Sequence, residues 1–217
     1  MKGKKSSSAS SPGSFEKISY WFFKSRLRKK LDSLYELEDP WSSQGLAEFF
    51  APWIRAQMEK LPPALRSAPV LDAGGGEGHF YFPLRDLIRE YHLADIEAKA
   101  LARAREKLPP DARLIHKSLD AFYPEPETYG GIWLFNILTY LGHARHRRIF
   151  AGIQNRLAQS LKSGGLILLI HAYYSETELD KIRTLCESFS RLELISNLLE
   201  YKELGNQKFF LQAHFKA

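Results

Sequence analysis

The stretch VLDAGGGEGHF, residues 70–80, places four glycines and two carboxylates directly after a short apolar run. An apolar run of this length reads as a strand, and the glycines after it let the backbone turn sharply and approach a bound molecule where any side chain would stand in the way. Asp72 then lies at the carboxyl edge of a sheet, the place where open α/β sheets bind ligands. About twenty residues further on, Asp95 ends the next apolar run, from which a carboxylate can accept hydrogen bonds from both hydroxyls of a ribose. The glycine loop and Asp95 together imply a nucleoside-bearing ligand.

Outward from this stretch the pattern alternates. Strands are expected at Val70–Ala73, Leu93–Asp95, Arg113–His116, Ile132–Asn136 and Leu166–Ile170, with helices at Phe80–Tyr91, Ala98–Leu108 and His146–Leu161. Runs such as IWLFNIL and LILLI are apolar throughout, as strands of a parallel sheet covered on both faces must be. Ser175 and Glu178 form a capping-box signature for a helix over Glu176 to about Phe189. The last 27 residues read as two strands around a Gly205-Asn206 turn, a terminal antiparallel hairpin.

Before the core, residues 1–14 form a serine-rich basic tail of low complexity, expected to be disordered, and residues 15–66 an aromatic-rich helical cap. The first cap helix runs from Phe15 to about Leu37, and the second starts at Ser42, with Pro52 expected to kink it or to begin another. Residues 67–217 make the ligand-binding domain. At 217 residues the chain suits one well-filled domain with an appendage.

Charge and cysteine content narrow the function. The first thirty residues carry a net +8 against +6 for the whole chain, which leaves −2 for the remainder. A polyanion could therefore be held only by the N-terminal arm, and neither nucleic acid nor membrane is an expected partner. No apolar run is long enough to span a bilayer and no secretory signal is evident, so a cytoplasmic location is expected. The single Cys186 excludes an intrachain disulfide, and the seven histidines lack paired metal-ligand spacing, so no metal is expected.

The choice of nucleoside turns on charge. A pyrophosphate at this loop would be repelled by Asp72 and Glu77, whereas a cation would be welcomed. At LDAGGGEG (71–78), ADIEAKALARARE (94–106), SLDAF (118–122), FNILTYL (135–141) and LKSGGLILLIH (161–171), the chain resembles the class I S-adenosylmethionine-dependent methyltransferases. The resemblance implies a Rossmann-like seven-stranded α/β sheet with helices on both faces and the last strand antiparallel. It also implies S-adenosyl-L-methionine as cofactor. By position, Asp72, Gly74, Gly75, Gly76 and Gly78 would hold the methionine part and Asp95 the ribose. Asp120 would take the adenine amino group within the Asp120-Ala121-Phe122 turn, Ile96 and Phe122 would pack on the base, and Asn136 would face the cofactor.

Two departures stand out: Ser163 replaces a proline usual before the fifth strand, and Gly130-Gly131 stand where an acidic residue is common. Candidate general bases are Tyr140 and His143 after the fourth strand, and His171 and Tyr173 after the fifth. The exocyclic-amine methylation motif, Asn-Pro-Pro-aromatic, is not matched by Asn136-Ile137-Leu138, and Cys186 falls inside a late helix rather than at the sheet edge. A small-molecule acceptor methylated on nitrogen or oxygen is thus expected, and a short match around DPW (39–41), ILTYL (137–141) and LLIHAYY (168–174) resembles nodulation-type N-methyltransferases. Trp41 could roof the pocket or staple the following helix against Leu46. An RNA or protein methyltransferase guided by the basic arm, and a non-catalytic cofactor-fold module, are the alternatives.

Overall fold

The structure, a computed structural model, describes residues 14–34, 43–138, 146–187, 194–204 and 207–216. Two long helices, α1 (Ser14–Leu34) and α2 (Ser43–Met58), and the single turn α3 (Pro63–Arg66) precede the sheet. The sheet region then runs β1 (Val70–Ala73), a 3-10 helix (His79–Leu84), β2 (Tyr91–Asp95), α4 (Ala98–Lys107), β3 (Arg113–His116) and β4 (Tyr129–Phe135). It continues with α5 (Arg147–Ser160), β5 (Leu161–Tyr173), α6 (Glu176–Glu187), β6 (Leu194–Leu204) and β7 (Gln207–Lys216). All seven strands join one sheet in the order β3-β2-β1-β4-β5-β7-β6. Strands β1 to β5 are parallel, and β7 lies antiparallel to both β5 and β6. The strand order reverses between β1 and β4, which opens a crevice at their carboxyl ends.

Alternation along the strands sends side chains to two cores. Val70, Leu93, Trp133 and Leu168 face α2, where Phe50, Trp53, Ile54 and Met58 cover them. Leu71, Ala94, Ile132, Leu134 and Leu169 face the other way, toward Ile153 and Leu157 of α5 and Leu179 and Ile182 of α6. A strand buried on both sides must be apolar at every position, and β4 is buried along its whole length. Pro52 stays within a continuous α2 on its exposed side, so no new helix begins there.

One element differs in kind from expectation. The span Phe80–Tyr91 forms the short 3-10 helix and following turns instead of an α-helix, closed by three-residue hydrogen bonds such as Tyr81 N to Gly78 O and Leu87 N to Leu84 O. Pro83 lacks the donor a longer α-helix would need, and burial of Phe80 and Leu84 fixes the tight turn. Strand β5 also exceeds its expected length, because Leu161 pairs with Tyr129 and the Lys162–Gly165 segment bulges before pairing resumes at Leu166 and Gly131. At α6 the Ser175 Oγ accepts from Glu178 N at 3.2 Å, while the Glu178 carboxylate reaches back to Tyr174 N at 3.0 Å. The hairpin is present, with Leu204 opposite Gln207; its turn residues 205 and 206 lie outside the described residues.

Candidate active site at the carboxyl edge of the sheet

The loop leaving β1 is shaped by three glycines in the left-handed region: Gly74 (φ 81°), Gly76 (φ 58°) and Gly78 (φ 74°). Gly75 is required for a different reason, since a Cβ there would land on the Asp72 carboxylate. A Cβ on Gly74 would meet Ile137 Cδ1 at 2.5 Å, so the segment after β4 closes against the loop from across the crevice.

Asp72 is fully buried beneath this loop. Its Oδ2 accepts from the Tyr91 hydroxyl at 2.6 Å and its Oδ1 has no partner. Burial pushes the carboxyl up to about 7 although the Tyr91 bond favours the ionised form. Asp95 clamps the same loop from β2: its Oδ2 accepts from Gly76 N at 2.9 Å and its Oδ1 from Glu97 N at 2.8 Å. Burial raises this carboxyl too, and the backbone donors work against the rise. Asp72, the glycine loop and Asp95 are therefore brought together as expected.

Glu77 is not part of that cluster. Its carboxylate turns to α4, accepting from Arg103 at 3.0 Å and Lys107 at 2.6 Å. Burial acts to raise its pKa, but these two donors outweigh burial and hold it below the ordinary glutamate value. The expected attraction of Glu77 for a cationic ligand is thus corrected: its charge is spent anchoring the loop. The carboxylate that sequence reading missed is Glu97, which caps α4 through Lys99 N at 3.2 Å and leaves Oε2 buried without a partner. Its position two residues after Asp95, before an alanine-rich helix, was the available signal.

The turn after β3 forms the second wall. Arg156 of α5 donates to the carbonyls of Leu119, Asp120 and Phe122 at 3.1, 3.1 and 3.2 Å, and its guanidinium lies 4.5 Å from the Tyr123 ring centroid. Phe122 is buried with Leu119, Ala121 is exposed at the tip, and Ile96 is half-buried with its carbonyl 3.0 Å from His116 Nε2. The Asp120 carboxylate is held by Lys24 of α1 at 2.8 and 3.0 Å. Neither Lys24 nor Arg156 carries a sequence signal, because each acts across a gap in the chain that only the fold closes.

The remaining expectations divide. Asn136, at φ 52°, donates its N–H to Ile170 O at 2.7 Å and accepts from Ala172 N through Oδ1 at 2.8 Å. Its side-chain oxygen therefore stitches β4 to β5 at the carboxyl end of β4. His171 was expected at the sheet edge, but β5 runs two residues past it. It is 3% exposed, on the face of Leu169 and Tyr173 that α5 and α6 cover, and burial alone lowers its pKa to about 4. Tyr173 is buried on that same face. Tyr140, His143 and Trp41 lie outside the described residues.

Helix α1 crosses this edge. Glu16 Oε1 accepts from Arg148 N at 3.0 Å and Ile149 N at 3.4 Å at the start of α5, Ser19 Oγ meets His146 Nε2 at 3.2 Å, and Lys24 reaches Asp120 and Ser118. All three attachments are to segments that follow the carboxyl ends of β3 and β4. Near this edge two buried acceptors, Asp72 Oδ1 and Glu97 Oε2, lack donors, next to a loop of left-handed glycines. This set fits a ligand bringing hydroxyls and positive charge and would repel a pyrophosphate.

The family profile of the methyltransferase domain matches residues 70–165. No curated protein sequence matches the chain. Among solved structures, it is similar to the N-methyltransferase NodS from Bradyrhizobium japonicum WM9 in complex with S-adenosyl-L-homocysteine, at 13% identity and TM-score 0.64, covering 87% of this chain and 97% of that one. It is similar to geranyl diphosphate C-methyltransferase from Streptomyces coelicolor A3(2), at 10% identity and TM-score 0.61, over 78% and 76% of the two chains. It is also similar to a Haemonchus contortus phosphoethanolamine N-methyltransferase, at 13% identity and TM-score 0.56, over 75% and 52%. The sheet order and the glycine loop agree with the fold these structures share, and the methyltransferase-domain profile covers the stretch from β1 into β5.

Proposed function

We propose that this chain is an S-adenosylmethionine-dependent methyltransferase that acts on a nitrogen or oxygen atom of a small molecule. The observation that supports this reading is α1, held across the carboxyl edge by Glu16, Ser19 and Lys24. An acceptor reaching the crevice beneath such a roof must be small, whereas a folded protein or an RNA helix would need the helix lifted. The N-methyltransferases among similar structures agree with nitrogen as acceptor, and the C-methyltransferase makes carbon the competing outcome.

The cofactor supplies a methyl group already activated by a positive sulfur, so the protein's work is placement and exclusion of water. Asp95 would hold the ribose hydroxyls through the lone pairs its backbone partners leave over. Asp72 would supply negative charge from beneath the loop, and Phe122, Ile96 and Asp120 would take the base. Where the acceptor must lose a proton, Tyr140 and His143, in the 139–145 segment joining β4 to α5, are the bases this reading favours over the buried His171.

The test is transfer of a tritiated methyl group from S-adenosylmethionine in parallel reactions with pooled small amines and alcohols, with RNA, and with protein. Label in the small-molecule fraction, on nitrogen or oxygen, is expected. Label confined to acid-precipitable polymer, or found on carbon, overturns the reading.

A further inference from the structure

Helix α1 is apolar on two opposite sides. Tyr20 and Phe23 turn inward and pack against His146, while Phe15 (82% exposed), Ile18 (57%), Trp21 (63%) and Phe22 (57%) turn outward. At 100° per residue these four, at i, i+3, i+6 and i+7, fall within one arc, while the residues gripping the domain, Glu16, Ser19, Tyr20, Phe23 and Lys24, occupy the opposite one. Two aromatics, an indole and an isoleucine in water on one stripe exceed what a surface helix carries without a partner.

The charges next to this stripe decide what covers it. Exposed Lys17 flanks one side, exposed Arg26 the other, and Arg28, Lys29 and Lys30 follow in sequence, with Lys2, Lys4 and Lys5 upstream. Residues 1–30 hold nine Lys or Arg and a single Glu, and the remainder of the chain is slightly acidic. The partner must therefore be apolar to a depth of one side chain and anionic at its surface. An acidic protein groove would meet one of these demands along one line of contact, and a second copy of this chain would set like charges against one another. RNA would satisfy the cations and leave Ile18 in water.

We propose that the outward face of α1 docks on a lipid bilayer bearing anionic headgroups, with Phe15, Ile18, Trp21 and Phe22 in the headgroup boundary and the flanking cations on the phosphates. The geometry is that of a helix lying in the interface, which needs no spanning segment; among the described residues no helix is long and apolar enough to cross a membrane. The expectation of no membrane partner rests on the lack of a spanning run, which a peripheral contact does not require. Because the inward side of the same helix holds Asp120 through Lys24, docking would place the carboxyl edge of the sheet against the bilayer surface.

The test is sedimentation of the full chain with vesicles of phosphatidylcholine alone and of phosphatidylcholine with 30% phosphatidylserine, a composition of roughly cellular surface charge. Binding to the anionic vesicles, weakened by salt and absent on neutral ones, is expected. Trp21→Ser with Phe22→Ser, and separately Lys17→Glu with Arg26→Glu, should each lower partitioning by on the order of tenfold while leaving the melting temperature of the domain unchanged. No binding to anionic vesicles overturns the proposal. So do equal binding to neutral ones, binding indifferent to both variants, or a concentration-dependent dimer or single-stranded RNA complex that forms instead and is lost with the same substitutions.

Discussion

Replacing Asp95 by Asn tests how the site grips the cofactor, because the two residues have nearly the same shape. In the structure each carboxylate oxygen accepts one backbone N–H, from Gly76 and from Glu97, and keeps a second lone pair for a ribose hydroxyl. Asparagine has one accepting oxygen. Its amide NH2 would face one of the two N–H groups, and the hydroxyl on that side would lose a charge-assisted bond. The expected loss in S-adenosylhomocysteine affinity is about 1.5–3 kcal/mol, which is roughly a 10- to 150-fold rise in Kd. Titration calorimetry reads it directly, with the melting temperature recorded alongside, since the orphaned buried N–H itself costs about 1–3 kcal/mol of stability. Glu77→Gln is the contrast: it loosens the Arg103 and Lys107 ties that anchor the loop to α4, so it should lower stability with much less effect on affinity. An Asp95→Asn protein that is folded and binds within about twofold of wild type refutes the ribose assignment.

Other outcomes follow from neighbouring groups. Gly75→Ala puts a methyl on the Asp72 carboxylate, so the loop or the acid must shift; a lower melting temperature, by an overpacking cost of about 1–3 kcal/mol, and loss of cofactor binding are expected. Asp72, pushed up to about 7, binds more protons folded than unfolded, so stability should fall as pH rises from about 4 to about 7, and Asp72→Asn should flatten that slope in thermal melts. At pH 6 the cationic S-adenosylmethionine should favour ionised Asp72 and release protons, seen as binding heats that change with the buffer's ionisation enthalpy; buffer-independent heats would contradict it. Lys24→Met frees Asp120 and loosens α1, so proteolysis within residues 14–34 should accelerate in the folded variant, and unchanged cleavage would show that Glu16 and Ser19 hold the helix alone.

What could be read in the sequence follows the range of the forces involved. Periodicity is local, so β1, β3, α4 and the hairpin were legible, and so was the grouping of Asp72, the glycines and Asp95 at one edge. The 3-10 helix after the glycine loop was not, because FYFPL carries apolar spacing that suits a helix, and only Pro83 and the burial of Leu84 decide against one. Burial itself was invisible: His171 reads as a base at a strand end until β5 is seen to extend past it beneath α6. Glu77 misled for the complementary reason, since its partners Arg103 and Lys107 sit 26 and 30 residues away and meet it only through the docking of α4. Lys24 and Asp120 stand 96 residues apart, and no local pattern records their pairing.

The most direct test of the account is a crystal structure of the full chain with S-adenosylhomocysteine. Density is predicted over Gly74–Gly78, with both ribose hydroxyls at hydrogen-bond distance from Asp95 and the adenine beside Asp120 and Phe122. A ligand bound elsewhere, or a crevice closed by Ile137 with the ligand excluded at saturating concentration, would contradict it.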